Sequence, residues 1–392
     1  MLAVALAMSL APASQHAAAA DTREAVREAA EPAALRVGAM RELKRPSAAA
    51  EIARDGDVVE IDPGIYEGDV AVWRQHRLTI RGLGGRAHLR ANGANAEGKA
   101  IWVIKGNDTT IENIEFSGAK VPDRNGAGIR LEGAGLTVRD CYFHDNENGI
   151  LTGANPASDI VVEHSEFAHN EVKDGHSHNI YIGNVGSFTL RFSYVHHALA
   201  GHNVKSRALR NHITYNRIMD EHDGRSSYAV DFPNGGLAFV IGNVIQQGPE
   251  TENSTIVSYG AEGLTYPLNQ LYLVNNTVVN DLPAGGIFLF VRTGADAARI
   301  VNNVFSGPGQ WLSGPGELRN NVAVAKTDFV DPAKFDYRLK SGAPAIGRAI
   351  DPGSAHGFEL RPTAEYAHKA QKRARSSSEK LDIGAFEYRR EP

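Results

Sequence analysis

Histidine is the most unevenly distributed residue type in this chain of 392 residues. Seven of its 15 histidines lie between His176 and His222, a window of 47 residues. The cations of Lys205 and Arg207 lie two residues apart inside that window, and the carboxylate of Asp231 follows it closely. Imidazole, amine and carboxylate groups transfer protons and stabilise developing charge in enzyme sites. Their concentration here indicates acid–base chemistry on an anionic substrate.

Metal binding is the alternative use of these histidines. His176 and His178 flank one serine, and alternation along a strand places both imidazoles on one face, near the carboxylate of Asp174. The spacing identifies no third ligand. A divalent metal, calcium or another, is therefore left open, and its ligands stay unassigned.

The composition excludes several classes of protein. Charged residues make up 22% and hydrophobic residues 42% of the chain, which excludes disorder as its main state. A single cysteine, Cys141, excludes an intrachain disulfide framework and any metal site built from several cysteines. The formal net charge of −5 argues against a nucleic-acid partner, since such binders are normally basic.

The N-terminal residues predict export. Residues 1–20 form an apolar run that ends in small residues, as a signal peptide does, and residues 21–46 follow as an extension. No stretch reaches the roughly 18 apolar residues that a membrane-spanning helix needs, so no membrane span is expected. We therefore expect a secreted or periplasmic protein.

A repeat determines the predicted architecture. Short β segments recur at steps of 23 to 33 residues and share one aligned column: Ile114, Cys141, Ser165, Ser193, Asn216, Asn243, Asn276 and Asn303. Helix-free strands at this period predict an all-β, single-domain right-handed parallel β-helix over residues 47–324. A propeller would need about 40 to 50 residues per blade, and hairpin turn signals are missing. The stacked asparagines would hydrogen-bond along the column.

Both ends of this solenoid are expected to be capped. Residues 47–57 predict a short amphipathic helix with Ser47 as its N-cap. Residues 325–392 lose the period and predict an irregular C-terminal cap. The opening GDVVEIDPGIYEG, the asparagine column and the closing DIGAFEY resemble the secreted pectate-lyase-like β-helix superfamily. That resemblance implies a carbohydrate-active enzyme, most often a lyase or hydrolase of acidic polysaccharides.

Alternation along the strands predicts where the polar residues point. In NIYIG, HNVKSR and YAVDF the aliphatic positions face inward, so Tyr181, Lys205 and Asp231 face outward on successive coils. Stacked strands are about 4.8 Å apart, which brings these three side chains together. An earlier coil adds Arg130 and a later loop adds Glu262.

This arrangement suits β-elimination, which needs neutralisation of a uronate carboxylate, a base for the adjacent C–H bond and an acid for the leaving oxygen. Lys205 is the predicted base, with Tyr181 or His202 as proton donor and Arg207, Arg130 or a histidine at the carboxylate. The predicted catalytic residues are Lys205, Tyr181, His202, Asp231 and Arg207. The predicted substrate-binding residues are Arg130, His176, His178, Asn179, Asn203, His222, Arg225, Tyr259 and Glu262.

The segment NVKSRALRN also resembles the chondroitinase B and alginate lyase family. The resemblance implies that Lys205 is the base and that an arginine further along assists, for which Arg225 is the loose counterpart. That family holds calcium with acidic residues just before the lysine, where this chain has His202 and Asn203.

The sequence therefore predicts an exported polysaccharide lyase, monomeric, with a polysaccharide or oligosaccharide as its partner. A glycoside hydrolase is the alternative, and it would pair Asp231 with Glu262 or Asp220 as its two carboxylates. An epimerase would use the same lysine, histidine and tyrosine. A non-catalytic glycan-binding solenoid would favour rows of exposed aromatic residues, of which Tyr181 and Tyr259 are the candidates.

Overall fold

Short runs of aliphatic and aromatic residues form strands that pair in parallel with the strands one coil before and one coil after. Val138, for example, lies between Ile111 of the preceding coil and Val162 of the next. Equivalent residues of successive coils thus point the same way and pack on one another. The structure, a computed structural model, describes residues 34–170, 175–375 and 380–389. The predicted signal peptide and Asp174 lie outside these residues.

Within the described residues, three parallel sheets of 12, 11 and 10 strands run along the molecule. The 12-stranded sheet contains Ala34–Val37, Val58–Ile61, Thr79–Gly82, Thr109–Glu112, Leu136–Arg139, Asn155–Glu163, Val185–Arg191, Arg210–Thr214, Leu237–Ile241, Gln270–Val274, Ala297–Val301 and Glu317–Arg319. The 11-stranded sheet contains Gly64–Glu67, Ala87–Arg90, Ile114–Ser117, Tyr142–His144, Glu166–Ala168, Tyr194–His196, Arg217–Met219, Val244–Gln247, Thr277–Asn280, Val304–Ser306 and Val322–Ala323. The 10-stranded sheet contains Ala71–Trp73, Ala100–Ile104, Ala127–Leu131, Asn148–Thr152, Ile180–Ile182, Val204–Ser206, Val230–Phe232, Thr255–Tyr259, Ile287–Val291 and Gln310–Ser313.

Each coil visits the three sheets in turn, which is the topology of a parallel β-helix and confirms the predicted fold class. The first strand, Ala34–Val37, lies inside the segment predicted as an extension and joins the 12-stranded sheet beside Val58–Ile61. Among the described residues, no helix is long and apolar enough to cross a bilayer.

The N-terminal helix spans Pro46–Ile52, so it begins one residue before the predicted segment 47–57 and ends five residues before the end of that segment. The prediction of Ser47 as N-cap is wrong, because Pro46 occupies the first helical turn and its fixed φ starts the helix. The Ser47 hydroxyl instead donates to Asp69 Oδ1 at 2.5 Å. Ala49 and Ala50 of the helix are buried with Trp73, so the helix covers the core at this end.

The core is a stack of like residues inside the coils. Phe116, Phe143 and Phe167 lie one above another with ring centroids 4.9 and 4.7 Å apart, and Trp102 meets Phe116 edge-on. All four side chains are fully buried. Burying each such ring contributes about 1.5–3 kcal/mol, and the ring pairs add about 0.5–1.5 kcal/mol. Aromatic stacking along the axis therefore helps to fix the register of these coils.

The predicted polar column forms a buried ladder at the corner between the 12-stranded and 11-stranded sheets. We call it the first-corner ladder: Cys141, Ser165, Ser193, Asn216, Asn243, Asn276, Asn303 and Asn321. The Asn243 side-chain oxygen accepts from the backbone N–H and the side-chain amide of Asn216 at 2.9 and 3.0 Å. Its own amide donates to the Ile213 carbonyl at 2.7 Å. The ladder thus satisfies backbone groups that the turn would otherwise bury unpaired.

Residues 325–375 and 380–389 leave the repeat and pack along the flank of the β-helix. They contain two short 3-10 helices and three antiparallel strand pairs: Lys326–Asp328 and Pro332–Lys334, then Phe329–Asp331 with Asp336–Leu339, Ser354–Ala355 with Phe358–Glu359, and Ala364–Ala367 with Gln371–Ala374. Phe335, Tyr366 and Phe386 share an apolar cluster with Tyr194 and Val304 of the 11-stranded sheet. We call this segment the flanking strap.

Candidate active site

The outward face of the 10-stranded sheet carries one continuous column of side chains. Strand pairing aligns Tyr181 with Lys205, and Lys205 with Asp231. The column continues to Ser258 on one side and, across Leu151, to Arg130 on the other. The predicted juxtaposition of Tyr181, Lys205 and Asp231 is therefore present.

A network of charges covers this column at the surface. Glu262, from the loop that follows Thr255–Tyr259, accepts from Lys205 Nζ at 3.0 Å and from Arg207 Nη2 at 2.7 Å. The Arg207 guanidinium also donates to the Tyr181 hydroxyl at 3.0 Å and to Asn234 at 2.5 Å. Burial raises the pKa of Glu262, but hydrogen bonds from Arg207 and Lys205 outweigh burial and lower it. The site therefore holds a bound carboxylate between two cations.

Three titratable groups lie beneath this network. The exposed fractions of His178, His202 and Asp231 are 3%, 7% and 2%. The two imidazoles stack with centroids 4.6 Å apart, and the backbone N–H of His202 donates to His178 Nδ1 at 2.9 Å. His202 Nε2 lies 3.5 Å from Asp231 Oδ2. The predicted catalytic groups His202 and Asp231 thus lie together, and Asp231 has the predicted position beside Lys205 but is covered by other side chains.

Burial shifts the pKa values of these groups in opposite directions. It lowers the pKa of His202 to about 3 and that of His178 well below its ordinary value, and the neighbouring Lys205 reinforces both shifts. It raises the pKa of Asp231 to about 6, with Lys205 opposing. Both imidazoles are therefore neutral near pH 7, and Asp231 titrates close to that range.

Unpaired polar atoms and a cavity mark the same region. Eleven buried side-chain atoms in the described part of the chain have no hydrogen-bond partner, and His202 Nδ1 and Arg130 Nε of this region are among them. An open cavity of about 390 Å³ adjoins Tyr181 and is lined by Arg130 and His176 among others. Buried polar atoms without partners are uncommon in folded proteins, and here two of them lie in the same region as the cavity. The structure thus brings Arg130 and His176 to the column, as predicted.

Larger cavities lie elsewhere, beside the flanking strap. Their volumes are about 420 and 500 Å³. The residues that line them include none of Tyr181, Lys205, Arg207 and Asp231. We therefore place the candidate site at the 10-stranded sheet.

The structure overturns the predicted roles of Asn179, Asn203 and Tyr259. Asn179 and Asn203 are fully buried in a second-corner ladder, at the corner between the 11-stranded and 10-stranded sheets: Asn146, Asn170, Asn179, Asn203 and Asp220. Each precedes the first residue of its strand, where the chain is still turning and alternation does not apply. Tyr259 is also fully buried, and its hydroxyl donates to the Gly236 carbonyl. These three residues have structural contacts and no open face for a substrate.

His222 and Arg225 are not part of the network. The His222 ring lies against Phe335 of the flanking strap, with centroids 4.7 Å apart. Arg225 pairs with Glu252 at 3.5 Å. Neither contacts Lys205, because the turn that carries them faces the second corner and the strap.

Sequence reasoning missed Asn234 and the second-corner ladder. Asn234 lies in the PNGG turn after Val230–Phe232 and positions Arg207. One feature of the sequence indicates this ladder: Asn146 in HDN and Asn170 in HNE each lie two residues after the end of a strand. The number of residues from there to the next strand varies, so the other members of the ladder could not be recognised.

The predicted metal pair is separated in the structure. His178 is buried against His202, whereas His176 is exposed beside the cavity. Calcium does not fit the positions before Lys205, because it prefers carboxylate and carbonyl oxygens, and the Asn203 side chain is occupied in the ladder. In the described ranges, two other trios could hold a metal ion: His169 with His196 and His197, and His88 with Glu115 and His144.

Comparisons with known proteins agree with this architecture. The family described as right handed beta helix region matches residues 89–171, whereas no curated protein matches the sequence. A crystal structure of the pectate lyase Pel9A superposes with a TM-score of 0.60 over 91% of this chain and 96% of that chain, at 13% identity. An alginate lyase from Paenibacillus sp. str. FPU-7 gives a TM-score of 0.45 over 71% of this chain and 95% of that chain, at 14% identity.

At 13% identity the likeness to the pectate lyase concerns the fold alone. The matched repeat region and the three parallel sheets agree with it. Together they identify the fold as a right-handed parallel β-helix, similar to that of the pectate lyase.

Proposed function

We propose that this protein is an exported polysaccharide lyase that cleaves a uronate-containing glycan by β-elimination. The observation that carries the proposal is the carboxylate of Glu262 held between Lys205 and Arg207 over the Tyr181–Lys205–Asp231 column. A uronate carboxylate presents the same two oxygens at the same spacing. Glu262 is 48% exposed and belongs to a loop, so a substrate carboxylate can replace it.

The surface groups suit the reacting atoms of a uronate. With the substrate carboxylate bound by Arg207, negative charge that develops at C5 is stabilised. Lys205 Nζ, once it has released its own proton, accepts the C5 proton. The C–H electron pair forms the C4=C5 double bond, and the C4–O bond breaks.

Tyr181 is placed to supply the proton that the leaving oxygen needs. Its hydroxyl oxygen accepts a hydrogen bond from Arg207 Nε at 3.0 Å, which leaves its own O–H free to donate. The tyrosinate that results would be stabilised by the same guanidinium until it regains a proton from water. His178, His202 and Asp231 lie underneath and act through Lys205 and Tyr181 as positioning residues.

The carboxylate pairs expected of a hydrolase are less suitable. Asp220 is fully buried and accepts from Asn203 and from the backbone N–H of Ser226. Asp231 is buried, and the lowered pKa of Glu262 is opposite to what a general acid requires. The site therefore favours elimination over hydrolysis.

The test is a set of acidic and neutral polysaccharides assayed for ultraviolet absorbance and for new reducing ends. We expect an acidic polysaccharide to give both signals, because elimination creates an absorbing C4=C5 double bond. Reducing ends without absorbance would indicate a hydrolase. Altered uronate stereochemistry at constant chain length would indicate an epimerase, and binding without any reaction a glycan-binding solenoid.

Lys205→Ala should lower kcat by about 100- to 10,000-fold, the usual contribution of a positioned base. Lys205→Arg should be as inactive, since a guanidinium keeps its proton. Lys340→Ala, at an exposed lysine of the flanking strap, is the matched control and should retain full activity. Full activity in Lys205→Ala would refute the assignment of the base.

Glu262→Gln separates the lyase from the hydrolase. If Glu262 only occupies the carboxylate position, its neutral variant should lower KM about two- to fivefold, in line with the strength of exposed ion pairs. A hydrolase that used Glu262 as its acid would instead lose activity. Melting temperatures of all variants verify that they are folded.

A further inference from the structure

Three imidazoles meet at the second corner, outside the network around Lys205. His169 follows the strand Glu166–Ala168. His196 is the last residue of the strand Tyr194–His196 in the next coil, and His197 follows it, so two coils contribute to the group. One nitrogen from each ring lies within 4.8 Å of the other two. His196 is buried, whereas His197 is partly exposed and His169 is exposed.

Hydrogen bonds to carboxylates determine which nitrogens carry hydrogen. His196 Nε2 lies 3.2 Å from Glu166 Oε1, and His197 Nε2 lies 3.1 Å from Asp223 Oδ1. An ionised carboxylate only accepts hydrogen bonds, so each Nε2 must be the donor. In the neutral rings, both Nδ1 atoms then present lone pairs.

These two Nδ1 atoms face each other at 2.5 Å. Two lone pairs at this distance repel unless a cation lies between them or beside both. The ring of His169, 4.8 Å from that of His197, brings a third nitrogen to the same point.

We propose that His169, His196 and His197 bind a divalent transition-metal ion of the zinc type. Three imidazole nitrogens are typical ligands of Zn²⁺, whereas calcium prefers oxygen. Two ligands at about 2.0 Å from a tetrahedral ion lie roughly 3.3 Å apart, so the Nδ1 atoms need to separate by less than 1 Å. Water would occupy the fourth position, on the exposed side of His169.

The carboxylates have the positions expected around such an ion. Glu166 and Asp223 hold the far nitrogens of His196 and His197, which fixes the tautomer and the ring orientation of metal-binding histidines. Because Asp223 belongs to a third coil, the ion would join three successive coils. His196 O also accepts from Asn179 of the second-corner ladder, so the ion would support the corner that precedes Lys205.

In the other trio, His88, Glu115 and His144, no two imidazole nitrogens face each other with their lone pairs. His144 Nδ1 faces Asp145 and its Nε2 faces Glu115, while His88 Nε2 faces the Ser117 hydroxyl. The nitrogens there face a carboxylate or a hydroxyl, and no contact joins two imidazole nitrogens. That trio therefore needs no ion and serves as a comparison.

The experiment titrates the metal-stripped full-length protein with ZnCl₂ by calorimetry and with Co²⁺ by visible absorption. We expect one ion per chain and a Co²⁺ spectrum with nitrogen ligands. His169→Asn and His197→Asn remove an imidazole at positions with φ of 53° and 52°, which asparagine tolerates. Each should weaken binding at least tenfold, and Glu166→Gln about 10- to 100-fold.

His164→Asn is the matched control, since His164 also has a φ of 53° and lies outside the trio. It should bind Zn²⁺ as the unmodified chain does. The proposal is wrong if the unmodified chain takes up no Zn²⁺, if both variants of the trio bind it normally, or if only His144→Gln loses it. None of these readouts depends on lyase activity, so the two proposals can fail separately.

Discussion

The two polar ladders of this β-helix occupy neighbouring corners of the same coils and are built differently. The first-corner ladder takes one residue per coil, always directly after a turn residue of positive φ such as Tyr215, Asn275 or Asn302. The second-corner ladder takes both Asn170 and Asn179 from a single corner, nine residues apart. It includes a carboxylate, Asp220, whereas the first ends on an amide.

The first-corner ladder contributes to stability, whereas the second-corner ladder also positions the strands that carry the candidate site. At the first corner, every coil turns in the same way and the ladder only satisfies the backbone of the turn. At the second corner, the loops differ in length, and the ladder lies where strands such as Ile180–Ile182 and Val204–Ser206 of the 10-stranded sheet start. His178 and His202 directly precede Asn179 and Asn203 in the chain. The irregular ladder therefore lies directly behind the candidate site.

The largest expected effect is at the first corner. Asn243→Ala should reduce the free energy of unfolding by about 3–5 kcal/mol, because it leaves the Asn216 N–H and the Ile213 carbonyl buried without partners. Denaturant titration measures the loss. Activity per folded molecule should stay unchanged. A kcat that falls as well would contradict the separation of the two corners.

Asn203→Ala should cost about 2–4 kcal/mol in the free energy of unfolding, since the Ala198 N–H and the Asn179 amide lose their acceptor. Unlike Asn243→Ala, it should also lower kcat at least tenfold, because the strand that carries Lys205 loses its anchor. Kinetics on the polysaccharide found by the screen compare the two variants. Equal kcat values in both would mean that the second-corner ladder does not position the site.

The two ladders should also differ in their response to pH. Burial raises the pKa of Asp220 to about 6 from its ordinary value of 3.8, with hydrogen bonds opposing. The folded chain then retains a proton that the unfolded chain releases between about pH 4 and 6, so this group's contribution to stability falls as pH rises.

In Asp220→Asn that pH-dependent contribution is removed. The stability of the variant relative to the unmodified chain should therefore rise by about 1–3 kcal/mol from pH 4 to pH 7. Denaturant titrations at several pH values follow the difference. Asn243→Ala, which removes no titratable group, should show a constant penalty. A flat difference for Asp220→Asn would show that this carboxyl titrates normally.

The smallest effect is expected where the first-corner ladder uses hydroxyls instead of amides. Ser193 Oγ accepts from the Ser165 N–H at 3.2 Å and donates to the Arg191 carbonyl at 3.0 Å. Ser193→Ala should cost about 1 kcal/mol. A penalty as large as that of Asn243→Ala would mean that ladder position, and not the number of hydrogen bonds, determines the stability.

Local periodicity explains what the sequence could predict. The column from Cys141 to Asn303 was visible because the same turn recurs at the same phase of every coil. Tyr181, Lys205 and Asp231 were placed correctly, since alternation within a strand and a one-coil register are both local properties. Burial of Asp231 was not predictable in this way, because it depends on side chains from other coils.

The wrong or incomplete predictions concern residues that lie just before a strand, or residues whose contact partners are distant in the sequence. Asn179 and Asn203 precede their strands, so alternation assigned them to the wrong environment. Tyr259 lies two residues after Val257 on the same strand, so both side chains point inward. There the Tyr259 hydroxyl donates a hydrogen bond to the Gly236 carbonyl. Glu262 binds across 57 residues to Lys205, and sequence alone could place it only near the column.

The flanking strap has a consequence for how the molecule unfolds. A solenoid in which each coil touches only its neighbours can fray from an end, one coil at a time. Here the strap leaves the last coil and returns past Val304 and Val244 to Tyr194, and Ala370 contacts His164 across 206 residues. Coils that are far apart in the stack thus share contacts with one segment. Loss of the last coils would detach the strap from the middle ones, so the stack gains long-range cooperativity that its repeats alone do not provide.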